Sequence, residues 1–143
     1  MRKNKRINWR RGSSDMLELT ITLVGLTVFF CLFLQILLTI LGMMSLQDAS
    51  FFISRQLVVC DSLDDSGDPD NANAVADRLV LDTFQNSSIV SNADAYVTMA
   101  DTGTGDDWEK GNFATLHLRG TPAGLFEFPY LTIEYTFMIE GGD

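Results

Sequence analysis

The sequence contains a run of 26 residues, Leu19 to Met44, with no acidic, basic or histidine residue, and a leader before it, Met1 to Arg11, with six of the ten basic residues. At about 1.5 Å per residue the run makes a helix of roughly 39 Å, longer than the ~30 Å hydrocarbon core of a bilayer and too long for a signal-peptide core. We therefore expect a transmembrane helix over residues 19–44. The positive-inside rule then predicts that residues 1–18 are cytoplasmic and residues 45–143 extracytoplasmic, which makes the protein a single-pass protein of the inner or plasma membrane.

The two ends of the chain carry opposite charge. The formal net charge is −9, but the leader carries +6 and residues 45–143 hold 17 acidic residues against four basic ones. An exported part this acidic excludes nucleic acid as a partner, because phosphate binding needs basic surface. Its 99 residues are enough for one small domain and too few for two.

The two cysteines predict no disulfide. On one continuous helix Cys31 and Cys60 are about 43 Å apart, far beyond the reach of a disulfide. A cysteine-based metal site is excluded by their number, and nothing basic surrounds Cys60 to activate its thiol. Packing or a partner subunit must therefore hold the exported domain together.

Helical periodicity continues beyond the apolar run. Apolar residues recur at three- and four-residue steps from Leu46 to Cys60, which predicts one helix of about 40 residues, continuous with the membrane helix. The turn formers of residues 61–71 end it. An apolar stripe then predicts a second, shorter helix over Asn71 to Phe84.

The rest of the chain alternates apolar and polar residues, which is typical of strands. The pattern predicts strands over Ala93 to Met99, Asn112 to Arg119 and Leu131 to Ile139. The predicted fold class is α+β: a long transmembrane helix that continues as an amphipathic helix, a second short helix, and a small antiparallel sheet of about three strands. We expect the apolar face of the sheet to pack on the exported part of the long helix.

The chain has a basic leader ending in glycine, a glutamate soon after it, an uninterrupted apolar helix, an amphipathic extension and a small sheet. This order of features resembles that of the type IV pilin superfamily. The similarity is greatest to the TadE/TadF-like minor pseudopilins of tight-adherence (Tad, or Flp) pilus systems. The residues that carry it are Arg10-Arg11-Gly12, then Glu18-Leu19, then Leu46 to Arg55. A weaker similarity to the family's last strands covers residues 108–113 and Tyr135 to Glu140.

The resemblance implies a precursor that a membrane prepilin peptidase trims near Gly12, and a helix that packs with other pilus or pseudopilin subunits in a filament or its initiating complex. In that family the glutamate neutralises the amino terminus of a neighbouring subunit, a role that would fall to Glu18 here. Five residues separate Gly12 from Glu18, where the family pattern has four. Cleavage after Ser13, with Ser14 as the new amino terminus, would restore the family spacing.

Physical chemistry also singles out Glu18. A carboxylate at the boundary of an apolar helix is costly in lipid unless it stays at the interface or pairs with a cation. At about 100° per residue, Thr22 and Gly25 lie within roughly 40° of Glu18, so small and polar groups share a face that another helix could approach. The alternative is that Asp15 and Glu18 only favour the first turn of the helix through its dipole. Deeper in the run, Gln35 could bond to a neighbouring helix or within its own.

The sequence gives little sign of a metal site or a catalytic site. The acidic segments of residues 61–70 and 101–107 lack the ligand spacing of a calcium loop, so we interpret them as solvated turns and expect no metal site. The only histidine, His117, lies within a predicted strand without a catalytic motif nearby, which favours a role in sheet packing. We expect no cofactor and no enzymatic activity.

An aromatic segment precedes the last strand. Phe126, Phe128 and Tyr130 surround Pro129 and are either part of the core or an exposed patch for a partner. Two functions remain open. The chain is either an assembly subunit that uses Glu18 and the membrane helix, or an anchored extracytoplasmic binding or accessory module that does not polymerise.

Overall fold

The computed structural model describes residues 9–64, 69–100, 107–125 and 130–141, with side chains from Ser14 onward. Within these residues the fold is α+β, with a long apolar helix first, then a short helix and a three-stranded antiparallel sheet. This architecture confirms the predicted fold class at the level of its elements.

Helix α1 spans Trp9–Leu57, so it begins ten residues before the apolar run. It divides into two parts. In the bare half, residues 14–34, every side chain is exposed except the half-buried Cys31. In the covered half, residues 35–57, one side is buried by the rest of the protein. The buried side recurs at helical spacing, which gives the core a continuous apolar stripe; it comprises Gln35, Gly42, Leu46, Ala49, Ser50, Ile53, Ser54 and Leu57.

Helix α2 spans Ala72–Phe84, one residue shorter than predicted, because Asn71 is its N-cap. The Asn71 side chain accepts a hydrogen bond from Ala74 N at 2.7 Å and satisfies one of the donors left open at a helix start. The helix packs beside the first strand, where the Asn73 side chain accepts a 2.8 Å hydrogen bond from Val97 N. The Asn73 side chain therefore satisfies a backbone N–H group that the edge strand would otherwise leave unpaired.

The strands are β1, Val90–Met99, β2, Phe113–Pro122, and β3, Leu131–Met138, in the order β1-β2-β3. Both pairings are antiparallel, as predicted for such a chain. The register of β1 against β2 shifts between Ser91 and Asp94, where Asn92 has φ 50°. This irregularity breaks the alternation, so the sequence pattern placed the start of β1 three residues too late.

The core lies between the sheet and the two helices; the packing of the sheet on α1 was predicted, whereas the contribution of α2 was not. Leu116 and Leu118 of the central strand are fully buried, as are Leu46 and Ile53 of α1. Two glycines let α1 and the sheet approach closely, Gly42 from the helix and Gly120 from β2. A Cβ on Gly120 would lie 2.5 Å from Val90 Cγ1 and 3.2 Å from Leu46 Cδ2.

Candidate assembly face and its surroundings

The bare half of α1 is a column of exposed apolar side chains with few polar groups. The hydroxyls of Thr20, Thr22 and Thr27 each donate to the carbonyl four residues earlier, at 2.8 to 2.9 Å. Their hydrogen-bonding potential is thus satisfied within the helix, which makes them compatible with an apolar environment. Over Ser14–Leu57 the helix is long and apolar enough to cross a membrane.

Glu18 stands near the start of this column and is exposed. Among the described side chains it forms no ion pair, and Thr22 donates to its backbone carbonyl at 2.9 Å. Gly25, one turn further, has nothing within 4 Å of a Cβ built on it. Glu18, Thr22 and Gly25 therefore form an open strip on the helix, which we call the assembly face.

The side of α1 next to Glu18 stays largely uncovered along the covered half. At about 100° per residue, Ile40 lies roughly 40° and Phe51 roughly 60° from Glu18 in one direction, whereas Gln35 lies about 100° from it in the other direction, on the domain side. Ile40 and Phe51 are both exposed, whereas Ser50 and Ser54, nearer the domain side, are buried. The ring of Phe51 packs edge-on against Tyr135, and the Arg55 guanidinium lies 4.4 Å from its centroid. An apolar strip therefore continues from the bare half past the length that a bilayer covers.

The remaining predicted site residues do not join this face. Gly12 and Ser13 belong to the backbone of α1 and Ser14 is exposed, whereas the side chain of Ser13 lies outside the described ones. Of the aromatic patch, Tyr130 is exposed, and Phe126 and Phe128 lie outside the described residues. Both acidic segments are described only in part, and the described residues contain no cluster of acidic, cysteine or histidine side chains that could hold a metal.

Gln35 makes a contact that the sequence did not predict. Only 2% of the residue is exposed, and its Oε1 accepts a hydrogen bond from Leu125 N at 2.7 Å. Neither a neighbouring helix nor its own helix provides this donor; it comes from the segment after β2, 90 residues along the chain. Thr39, in contrast, donates to the Gln35 carbonyl at 2.9 Å, within its own helix. A Cβ on Gly124 would overlap the Gln35 amide, so glycine at that position leaves room for the contact.

The outer face of the sheet carries a second cluster of polar side chains. The rings of Tyr96 and His117 stack at 4.6 Å with 9° between their planes, and Arg119 Nη2 donates to the Tyr96 hydroxyl at 2.8 Å. His117 Nε2 lies 2.9 Å from Thr98 Oγ1, and its Nδ1 lies 3.3 Å from Glu134 Oε1. His117 thus packs on the sheet, as predicted.

Thr98, His117 and Glu134 have the hydroxyl–imidazole–carboxylate order of hydrolase triads. The surroundings of these side chains therefore decide whether they could catalyse a reaction. Acyl transfer needs a pocket that excludes water and donors that stabilise an oxyanion. Thr98 and Glu134 are both exposed on an open sheet face. The three side chains come from three adjacent strands, so we assign the cluster to cross-strand stabilisation.

Comparison with known proteins finds no matching family model, no matching curated protein and no matching solved structure.

Proposed function

We propose that this chain is a membrane-anchored, minor pseudopilin-like subunit that takes part in assembling a Tad/Flp-type pilus or a related secretion machinery. The observation that carries the proposal is the shape of α1, one side of which bears the domain from Gln35 onward while another keeps exposed apolar side chains as far as Phe51. A helix that served only as a tether would need about 20 apolar residues and no exposed phenylalanine beyond them. Contact with neighbouring helices would bury this surplus.

Glu18 is the charged group of the proposed interface. Its carboxylate would pair with a cation of a neighbouring subunit, which the resemblance identifies as an amino terminus exposed by trimming near Gly12 to Ser14. At the membrane boundary the local dielectric is low, so a pair formed there is stronger than one in water. Thr22 and Gly25 would allow the neighbouring helix to come close, because small residues let helix backbones approach.

The proposed location is the inner or plasma membrane, with the basic leader cytoplasmic and the domain outside. The six basic residues before the apolar run and the net charge of the domain support this orientation. The proposed partners are the lipid bilayer, other pilus or pseudopilin subunits and a prepilin peptidase.

The test compares unsubstituted protein with Glu18→Ala by cross-linking and co-purification with pilus components, at equal membrane abundance. Insertion should survive, because the apolar run provides ample insertion energy, whereas association should fall several-fold. Asp82→Ala is the matched control, since Asp82 is an exposed acidic residue on α2 and not on the proposed interface of α1. Association that is unchanged in Glu18→Ala would contradict the charge-pairing role and favour the alternative, an anchored accessory module that does not polymerise.

A further inference from the structure

We propose that the domain touches the membrane a second time, through Leu125, which lies at the outer edge of the hydrocarbon core and is held there by Gln35. The inference rests on the proposed membrane anchoring and goes beyond it, because it fixes where along α1 the bilayer ends and which way the domain faces. The ligand is the interfacial layer of the lipid bilayer.

The apolar run locates the boundary. Counted from Leu19, the first residue after Glu18, the ~30 Å of a hydrocarbon core covers about 20 residues at about 1.5 Å per residue and ends near Leu38. Beyond Leu34 the helix is covered on one side, starting at Gln35. The apolar run continues to Met44, so its last six residues exceed what the bilayer needs and run alongside the domain. The outer edge of the hydrocarbon therefore falls within about one turn of Gln35.

Contacts between α1 and β2 show which part of the domain lies at that level. Gly120 lies against Leu46, Pro122 against Gly42, and Leu125 is bonded to Gln35. The chain thus descends along α1 toward the bare half as it leaves β2. Among the described residues, Gly124 and Leu125 contact Gln35, the first buried residue of α1 after the bare half.

The chemistry of this segment suits a lipid interface. Leu125 is 60% exposed although it is fully apolar, while its backbone N–H, which would be costly to leave unpaired near hydrocarbon, is bonded to Gln35. The Gln35 side chain is likewise buried under the segment instead of facing lipid. A leucine with a satisfied backbone can enter the interface at little polar cost, and burial of its side chain would stabilise the contact by about 1.5–3 kcal/mol at most.

Electrostatic attraction does not contribute to this contact. The exported part carries 17 acidic residues against four basic ones, so an anionic lipid surface would repel it. We therefore expect the contact to depend on apolar burial and to be no stronger in vesicles with moderate anionic lipid than in zwitterionic vesicles.

The experiment uses the full chain with Cys31→Ser and Cys60→Ser, so that each variant carries one introduced cysteine. An environment-sensitive fluorophore is attached to that cysteine. The labelled protein is placed in phosphatidylcholine nanodiscs with or without a lipid-borne quencher. The test position is Leu125→Cys. Leu23→Cys reports the membrane span, and Val59→Cys is the matched control, because Val59 is 65% exposed and follows the far end of α1. We expect blue-shifted emission and strong quenching at position 23, clear quenching at 125, and a several-fold smaller effect at 59.

A second arm removes the tether. Gln35→Leu leaves the position able to lie against hydrocarbon but deletes the acceptor for Leu125 N, so quenching at 125 should fall toward the value at 59 while quenching at 23 stays unchanged. In the chain that retains Gln35, quenching at position 23 with none at position 125 would overturn the second contact and leave the anchor intact. Absence of quenching at both positions would overturn the anchor and the second contact together. Protection of position 125 from both lipid and aqueous quenchers would mean that protein covers it, which also contradicts the inference.

Discussion

The end of α1 shows how single residues complete this fold. The segment that follows α1 is held by hydrogen bonds from the rest of the domain. Trp108 Nε1 donates to the Cys60 carbonyl at 2.9 Å, and the backbone N–H groups of Glu140 and Gly141 both donate to the Val58 carbonyl at 2.9 Å. The residues after β3 and one indole thereby fasten the end of the helix to the domain.

Trp108→Phe should loosen this junction. The ring would keep its edge-on contact with Phe137, but the Cys60 carbonyl would lose its donor, which costs about 1–2 kcal/mol. In a Cys31→Ser background, the labelling rate of the buried Cys60 thiol should rise about 5- to 30-fold. Tyr130→Phe, a change in an exposed ring, is the control and should leave the rate unchanged. An equal rate in Trp108→Phe would show that the hydrogen bond does not hold the junction.

Asp77 gives the domain a pH dependence. Partial burial, and secondly the neighbouring Asp94 carboxylate, raise the pKa of Asp77 above the ordinary 3.8. The folded state then binds the proton more tightly than the unfolded chain, so the charged form at neutral pH opposes folding, and this penalty fades as the pH falls through the raised pKa.

Asp77→Asn should therefore raise the unfolding free energy slightly at about pH 7, and the gain should vanish at about pH 3. Urea unfolding of the full chain in detergent, followed by tryptophan fluorescence, measures both values. Asp82→Asn, at another exposed acidic position of α2, controls for general charge. A gain that grew on acidification would contradict the sign of this account.

Sequence reasoning succeeded for residues whose partners are local and failed for those whose partners are distant. The start of α2 was predicted to within one residue from a stripe of three- and four-residue steps, although Asn71 is its N-cap and not its first residue. Trp108 bonds to Cys60, just after α1, and Leu125 bonds to Gln35 of α1, across 48 and 90 residues of sequence. No periodicity encodes such pairs, because they exist only after the sheet has docked on the helix.

Among the elements, the docking of α1 on β2 depends on the absence of side chains. Gly42 faces Pro122, with a built Cβ 3.0 Å from the proline Cβ, and Gly120 faces Val90 and Leu46. These glycines are compatible with interior packing density because the opposing side chains fill the space that they leave. The strands were predictable from alternation, whereas the extension of β2 to Pro122 depends on its pairing with Val90.

Gly120→Ala should separate the sheet from α1. The added methyl group would lie 2.5 Å from Val90 Cγ1, and overpacking of this kind costs about 1–3 kcal/mol. Pulse proteolysis of the full chain in detergent should show a lower urea midpoint. Gly25→Ala is the matched control, since nothing lies within 4 Å of its Cβ, and its midpoint should not change. Equal midpoints for the two variants would mean that the interface can relax to accept the methyl group.

For the whole molecule, the apolar run predicted the helix and Glu18 predicted the candidate face, because charge and hydropathy are properties of the sequence itself. Where the domain sits along the helix was not predictable. The bare half ends at Gln35 because the segment after β2 covers it, and the exposed strip through Ile40 and Phe51 is visible only once the opposite side is known to be buried. The shape of α1 therefore supports the proposed assembly role in a way that composition alone does not.

The most direct test of the assembly claim is a photo-cross-linking amino acid at Ile40, on the bare side of α1, in the native membrane. Leu81, an equally apolar and exposed residue on α2, is the control position. We expect the cross-linker at position 40 to form a discrete adduct with a neighbouring protein subunit, and the yield of this adduct to fall several-fold in Glu18→Ala. The yield of adduct from position 81 should be much lower. Adducts with lipid alone from position 40, unchanged by Glu18→Ala, would contradict the assembly claim.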